Sequence, residues 1–63
     1  DPAAKARAAD VVKQLTDSIA NYEKVAAKSE SAGNSKKAQE ALESAAARKI
    51  WLADAEKALA EFN

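Results

Sequence analysis

Ala32-Gly33-Asn34-Ser35 is the one break in a chain that otherwise reads as helix from end to end. Gly33 is the only glycine, and the only proline is Pro2. Glycine fits the left-handed backbone position just past a helix end, and Asn34 or Ser35 can cap the helix that follows. The break falls near the midpoint of the 63 residues. It leaves two arms of about 28 residues, each about 42 Å long as a helix. Equal arms and a short connection predict an antiparallel αα-hairpin, so the fold class is all-α. A loop this short leaves no room for a lid or a phosphate cradle.

Outward on the N-terminal side, the spacing predicts a first helix over about 3–31. Asp1 supplies a side-chain acceptor for free backbone N–H groups, and Pro2 suits the first helical position. Ala8, Val12, Leu15, Ile19, Tyr22, Ala26 and Ser29 recur at alternating steps of four and three, the seam of a coiled coil. Ala4, Val11 and Val25 flank that stripe, while Lys13, Asp17, Lys24 and Lys28 fall opposite. Tyr22 lies in the stripe and is expected in the core, with its hydroxyl at the edge.

On the C-terminal side, a second helix is expected over about 36–62. Ala41, Ala45, Leu52, Ala55, Leu59 and Phe62 form its seam, interrupted by Arg48. Trp51, Ala55, Ala58 and Phe62 make a second line beside it, and Leu42, Ala46, Ala53 and Ala60 a third on the other flank, with Ile50 further round. The apolar arc, alanines included, is wider than one partner helix can cover. Ile50, Trp51 and Leu52 are consecutive and point about 100° apart, so they cannot all face one neighbour. The core and interface set expected is therefore Val12, Leu15, Ile19, Tyr22, Leu52, Leu59 and Phe62. Ile50, Trp51 and Phe62 are candidates for a further interface.

The composition narrows what such a hairpin can be for. Eighteen of the residues are alanine, a strong helix former. There is no Cys and no His, which removes disulfides and the usual zinc, copper and haem ligands. No cofactor or metal is expected. Ten basic residues balance ten acidic ones, and each half of the chain holds five of each sign, so nothing points to nucleic acid. No apolar run reaches the roughly 18–20 residues of a membrane span. No targeting signal is present, so the sequence encodes no compartment.

Residues able to do chemistry are present but poorly placed for it. Glu40 with Glu43, and Asp54 with Glu61, share a polar helix face, whereas an acid/base pair needs a partly dry site. Ser18 lies near the first stripe without a His to activate it. No catalytic residues are expected, and the chain does not read as an enzyme. Lys49 and Glu56 border apolar lines and read either as interface charges or as solvated side chains.

The single domain expected over residues 1–63 is small. Chains of this size usually need a supplement to one core, and here oligomerisation is the one open to it. Two hairpins dimerising into a four-helix bundle would give every helix two neighbours.

The Asp-Pro start, the Ala/Lys/Glu filling, the Gly-Asn-Ser loop and the lack of Cys, Met and His resemble designed or engineered helical hairpins and four-helix-bundle modules. The length and two-helix plan are also similar to the plasmid copy-control hairpin family, whose members dimerise, though without its residue pattern. Ile50-Trp51-Leu52-Ala53 and Glu61-Phe62-Asn63 resemble the ends of the helical death motif of pro-apoptotic proteins. Glu56 stands where that motif has Leu. The expected function is a structural self-association module, favouring a homodimer. One alternative is a protein-binding module that docks through residues 50–62. Another is a coiled-coil fragment of an Ala-rich bacterial protein, suggested by Thr16, Ser18, Asn21 and Ser29 within the first helix.

Overall fold

The computed structural model describes residues 1–62; Asn63, the last residue of the expected domain, lies outside the described residues. Two helices, α1 (Pro2–Ser31) and α2 (Ser35–Ala60), fold back on each other as an antiparallel hairpin. The backbone extends over 48 × 15 × 11 Å.

Local chemistry explains each boundary. The Asp1 carboxylate accepts a hydrogen bond from the Ala3 amide at 3.0 Å, and Pro2 occupies the first turn. At the other end of α1, Gly33 adopts φ +77°. The Asn34 amide then donates to the Ser29 carbonyl at 2.8 Å, and the Gly33 amide donates to the Glu30 carbonyl at 3.0 Å. This paired closure is a Schellman motif, which satisfies carbonyls that a helix end leaves free. Asn34 also opens α2: its side-chain oxygen accepts from the Lys37 amide at 3.1 Å. One residue thus closes the first helix and caps the second.

The expected second helix is shortened at its end. α2 stops at Ala60 instead of continuing to about residue 62. The Glu61 and Phe62 amides bond the Ala58 and Leu59 carbonyls at 3.2 and 3.1 Å, the tighter turn usual where no left-handed cap follows.

The stripe read on α1 is the face turned to α2. Along it, Ile19, Ala26 and Ser29 are buried, while Ala8, Val12, Leu15 and Tyr22 are half-buried. On α2, Ala38, Ala41 and Ala45 are buried, with Ala45 only 2 % exposed, and Leu52, Ala55 and Leu59 are half-buried. Burial is therefore deepest on small residues in the half next to the loop. The larger side chains sit in the open half and stay partly wet. A lone hairpin has one neighbour per helix, so a large side chain on the seam keeps at least one edge in water.

Candidate interaction surface

The site built from this frame is a surface and not a cleft. It begins at Arg48, the one charged residue on the α2 seam. A seam position normally takes an apolar side chain, yet Arg48 is half-buried there. Its guanidinium lies over the Tyr22 ring of α1, 4.6 Å from the centroid, and 5.3 Å from the Trp51 centroid on its own helix. It also donates to the Ser44 carbonyl at 3.1 Å. Guanidinium is weakly hydrated and stacks on aromatic faces, so the position holds a cation without a carboxylate partner. Among the described residues no carboxylate forms an ion pair with it.

Helical spacing divides the hairpin into two broad sides. One side carries Val11, Ser18 and Val25 of α1 beside Ser44, Trp51 and Ala58 of α2. A shallow groove runs along it, lined by Tyr22, Val25, Lys37, Glu40, Ala41 and Ser44. The other side carries Glu23 and Glu30 beside Leu42, Lys49 and Glu56. Its groove is lined by Glu23, Ala26, Ala27, Glu30, Ala38 and Leu42. Lys49 Nζ reaches Glu23 Oε2 across the helices at 3.0 Å. This contact lies within one chain, and both side chains stay largely exposed, at 59 % and 47 %. Elsewhere, Lys13 donates to Asp17 at 2.7 Å within exposed α1, and this bond raises the Lys13 pKa above its ordinary value.

The residues singled out for a further interface are all accessible. Trp51 is 52 % exposed on the Val11–Val25 side, next to Arg48. Phe62 is 43 % exposed in the terminal turn. It was expected on the core seam as well, but α2 ends before it and the line it would have extended is broken. Ile50 is 66 % exposed. It points away from α1, on a line with Lys36, Glu43 and Lys57, and so belongs to neither broad side. Val12, Leu15, Ile19, Tyr22, Leu52 and Leu59 all lie on the buried or half-buried seam.

Ala38 was not named from sequence, and Val11 and Leu42 were placed on flanking lines without being assigned to an interface. Ala38 is buried at the start of α2, and its signal was available: it continues the four-and-three spacing one step back from Ala41. Val11 and Leu42 are exposed large side chains, one on each broad side. Among the described residues, no group of His, Cys, Asp or Glu is placed to hold a metal ion, and no helix is long and apolar enough to cross a membrane. No protein-family model matches the chain, and no curated protein or solved structure matches it either.

Proposed function

We propose that the chain is a structural self-association module without catalytic activity, whose hairpin is completed into a four-helix bundle by a second copy. The observation that carries this reading is the mismatch between large apolar side chains and burial. Of the large ones, only Ile19 is buried within the hairpin, whereas Val11, Leu42, Ile50, Trp51 and Phe62 are exposed. A second pair of helices would remove much of that surface from water, at roughly 25 cal/mol per Å² of apolar area. The regular Ala-rich filling and the economical Gly33-Asn34 turn support an engineered origin for the module.

The test is sedimentation equilibrium over a concentration series, with Trp51 fluorescence followed in parallel. A dimer whose blue-shifted tryptophan emission moves to the red on dilution is the expected result. A folded monomer at every concentration, with Trp51 emitting as in water, would refute it.

A second reading is favoured by one observation. Ile50 lies off the Trp51 side, so a single flat interface does not cover both. A module that docks residues 50–62 into the groove of a different protein would use the α2 surface more fully. That reading expects a monomer whose Trp51 spectrum changes only when the partner is added.

A further inference from the structure

We infer that two copies associate through the Val11–Val25–Trp51 side with their loops at the same end, so that α1 of each lies over α2 of the other. This inference rests on the self-association reading above. It adds which face is used and which way round the copies sit.

The choice of face follows from where charge lies. The centre of the Glu23–Lys49 side holds four ionisable side chains: Glu23, Glu30, Lys49 and Glu56. Burying that face would strip water from all four. The centre of the other side runs Val11, Ser18, Val25 against Ser44, Trp51, Ala58. Its formal charges are Arg48, already stacked on two aromatic rings, and Lys37 with Glu40, which line the groove at the loop end. At 48 Å by 15 Å of backbone, either face offers roughly 700 Å², close to the ~800 Å² per partner of a stable interface.

Orientation follows from the rows just outside this face. On α1, every seventh residue from Arg7 gives Arg7, Gln14, Asn21 and Lys28, each three or four residues from Val11, Ser18 or Val25 and so on the same flank. On α2 the matching row is Glu40, Ala47, Asp54 and Glu61, flanking Ser44, Trp51 and Ala58. Glu40 borders the groove on this side. One rim is basic and the other acidic.

In a hairpin, residues equally far from the turn lie level. Tyr22 with Ser44 and Val25 with Ala41, each pair symmetric about Gly33, line one groove in accordance with this. Counted from Gly33, Arg7 is level with Glu61, and Lys28 with Glu40, to within about two residues or ~3 Å.

Two face-to-face arrangements have two-fold symmetry. With loops at the same end, α1 covers the partner's α2. Arg7 then meets Glu61, and Lys28 meets Glu40, each pair formed twice. With loops at opposite ends, α1 covers α1 and α2 covers α2. Arg7 then meets Lys28, and Glu40 meets Glu61, like charge against like. Complementary rim charges select partner orientation more than they add affinity, and here they select the first arrangement.

The experiment uses three chains: wild type, Arg7→Glu/Lys28→Glu, and Glu40→Lys/Glu61→Lys. Each is run alone by sedimentation equilibrium, and the two variants are also run as an equimolar mixture. The expected result is a wild-type dimer, weakening on the order of tenfold or more for each variant alone, and recovery in the mixture to within about threefold of wild type. Recovery in the mixture also excludes misfolding of the variants as the cause. A wild-type dimer with each variant unchanged alone, and a mixture tighter than wild type, would overturn this geometry while leaving self-association intact, because the opposite-end arrangement pairs like charges in every chain alone and opposite charges only in the mixture. Weakened variants with no recovery on mixing would also overturn it. A monomeric wild type would overturn both readings.

Discussion

Replacing Gly33 by L-alanine and by D-alanine isolates the turn from everything else in the fold. Gly33 sits at φ +77°, and a Cβ built there meets nothing within 4 Å. Packing therefore contributes nothing to the cost, and the local backbone sets it. An L-residue in the left-handed region loses about 1–2 kcal/mol. Alanine also restricts the unfolded chain, which returns about 0.4–1 kcal/mol. The net destabilisation by L-Ala is about 1 kcal/mol, or roughly 4–8 °C in melting temperature for a domain of this size. D-Ala is the mirror case. It occupies positive φ without strain and keeps the entropic gain, so it stabilises by about 0.4–1 kcal/mol. Both variants are within reach of chemical synthesis. Circular dichroism melts should be recorded at one fixed chain concentration, since association would shift the midpoint. The expected order is L-Ala below glycine below D-Ala. Equal melting of the L and D variants would show that the left-handed turn does not limit stability, and the account of the helix break would fail.

Other perturbations test the seam and the charges. Leu52→Asp or Leu59→Asp places a carboxylate on the half-buried seam and should abolish cooperative melting by circular dichroism; an unchanged melt would mean that the seam is misassigned. Glu23→Gln removes the ion pair to Lys49, whose side chains are 47 % and 59 % exposed, and should cost about 0.5 kcal/mol or less in urea unfolding. That cost should shrink further in high salt, and a loss above about 1.5 kcal/mol would mean that water does not screen the pair. No side chain should change stability between about pH 6 and 8, because the chain has no His and no Cys. On the alkaline side, the raised Lys13 pKa means that the small contribution of its exposed bond to Asp17 is present below the ordinary lysine value and is lost as pH climbs through the raised one. A midpoint that moved between pH 6 and 8 would reveal a titrating group outside this account.

The hairpin was legible because its determinants are local. One glycine at the midpoint, a capping residue at each helix start and an unbroken four-and-three stripe leave few alternatives to two antiparallel helices. The same stripe identified the buried face of α1 residue by residue, from Ala8 to Ser29. Depth of burial was less legible. Sequence reasoning weights Trp51, Leu52 and Phe62 by their size, but in a two-helix frame the positions nearest the turn are covered best, and those carry Ala38, Ala41 and Ala45. The end of α2 was misjudged by two residues because helical periodicity does not report where carbonyls run out of partners. Arg48 read as an interruption. Its stacking on Tyr22 joins residues from different helices, which spacing along one helix does not reveal.

The placement of small residues beside the turn has a kinetic side. Ser29 and Ala38 are nine residues apart in the chain, while Ala8 and Leu59 at the open end are 51 apart. Closing the longer loop from the unfolded chain costs about 1.5 kcal/mol more than closing the shorter one. The contacts that are quickest to reach are thus made by side chains with almost no rotamer freedom to lose, and the bulky ones are met only after the alanines have brought the backbones together. Such a chain zips from its turn and frays from its tips. Amide hydrogens around Ala41 and Ala45 should outlast those near Leu59 in exchange, and the reverse order would mean that the tips hold the hairpin shut.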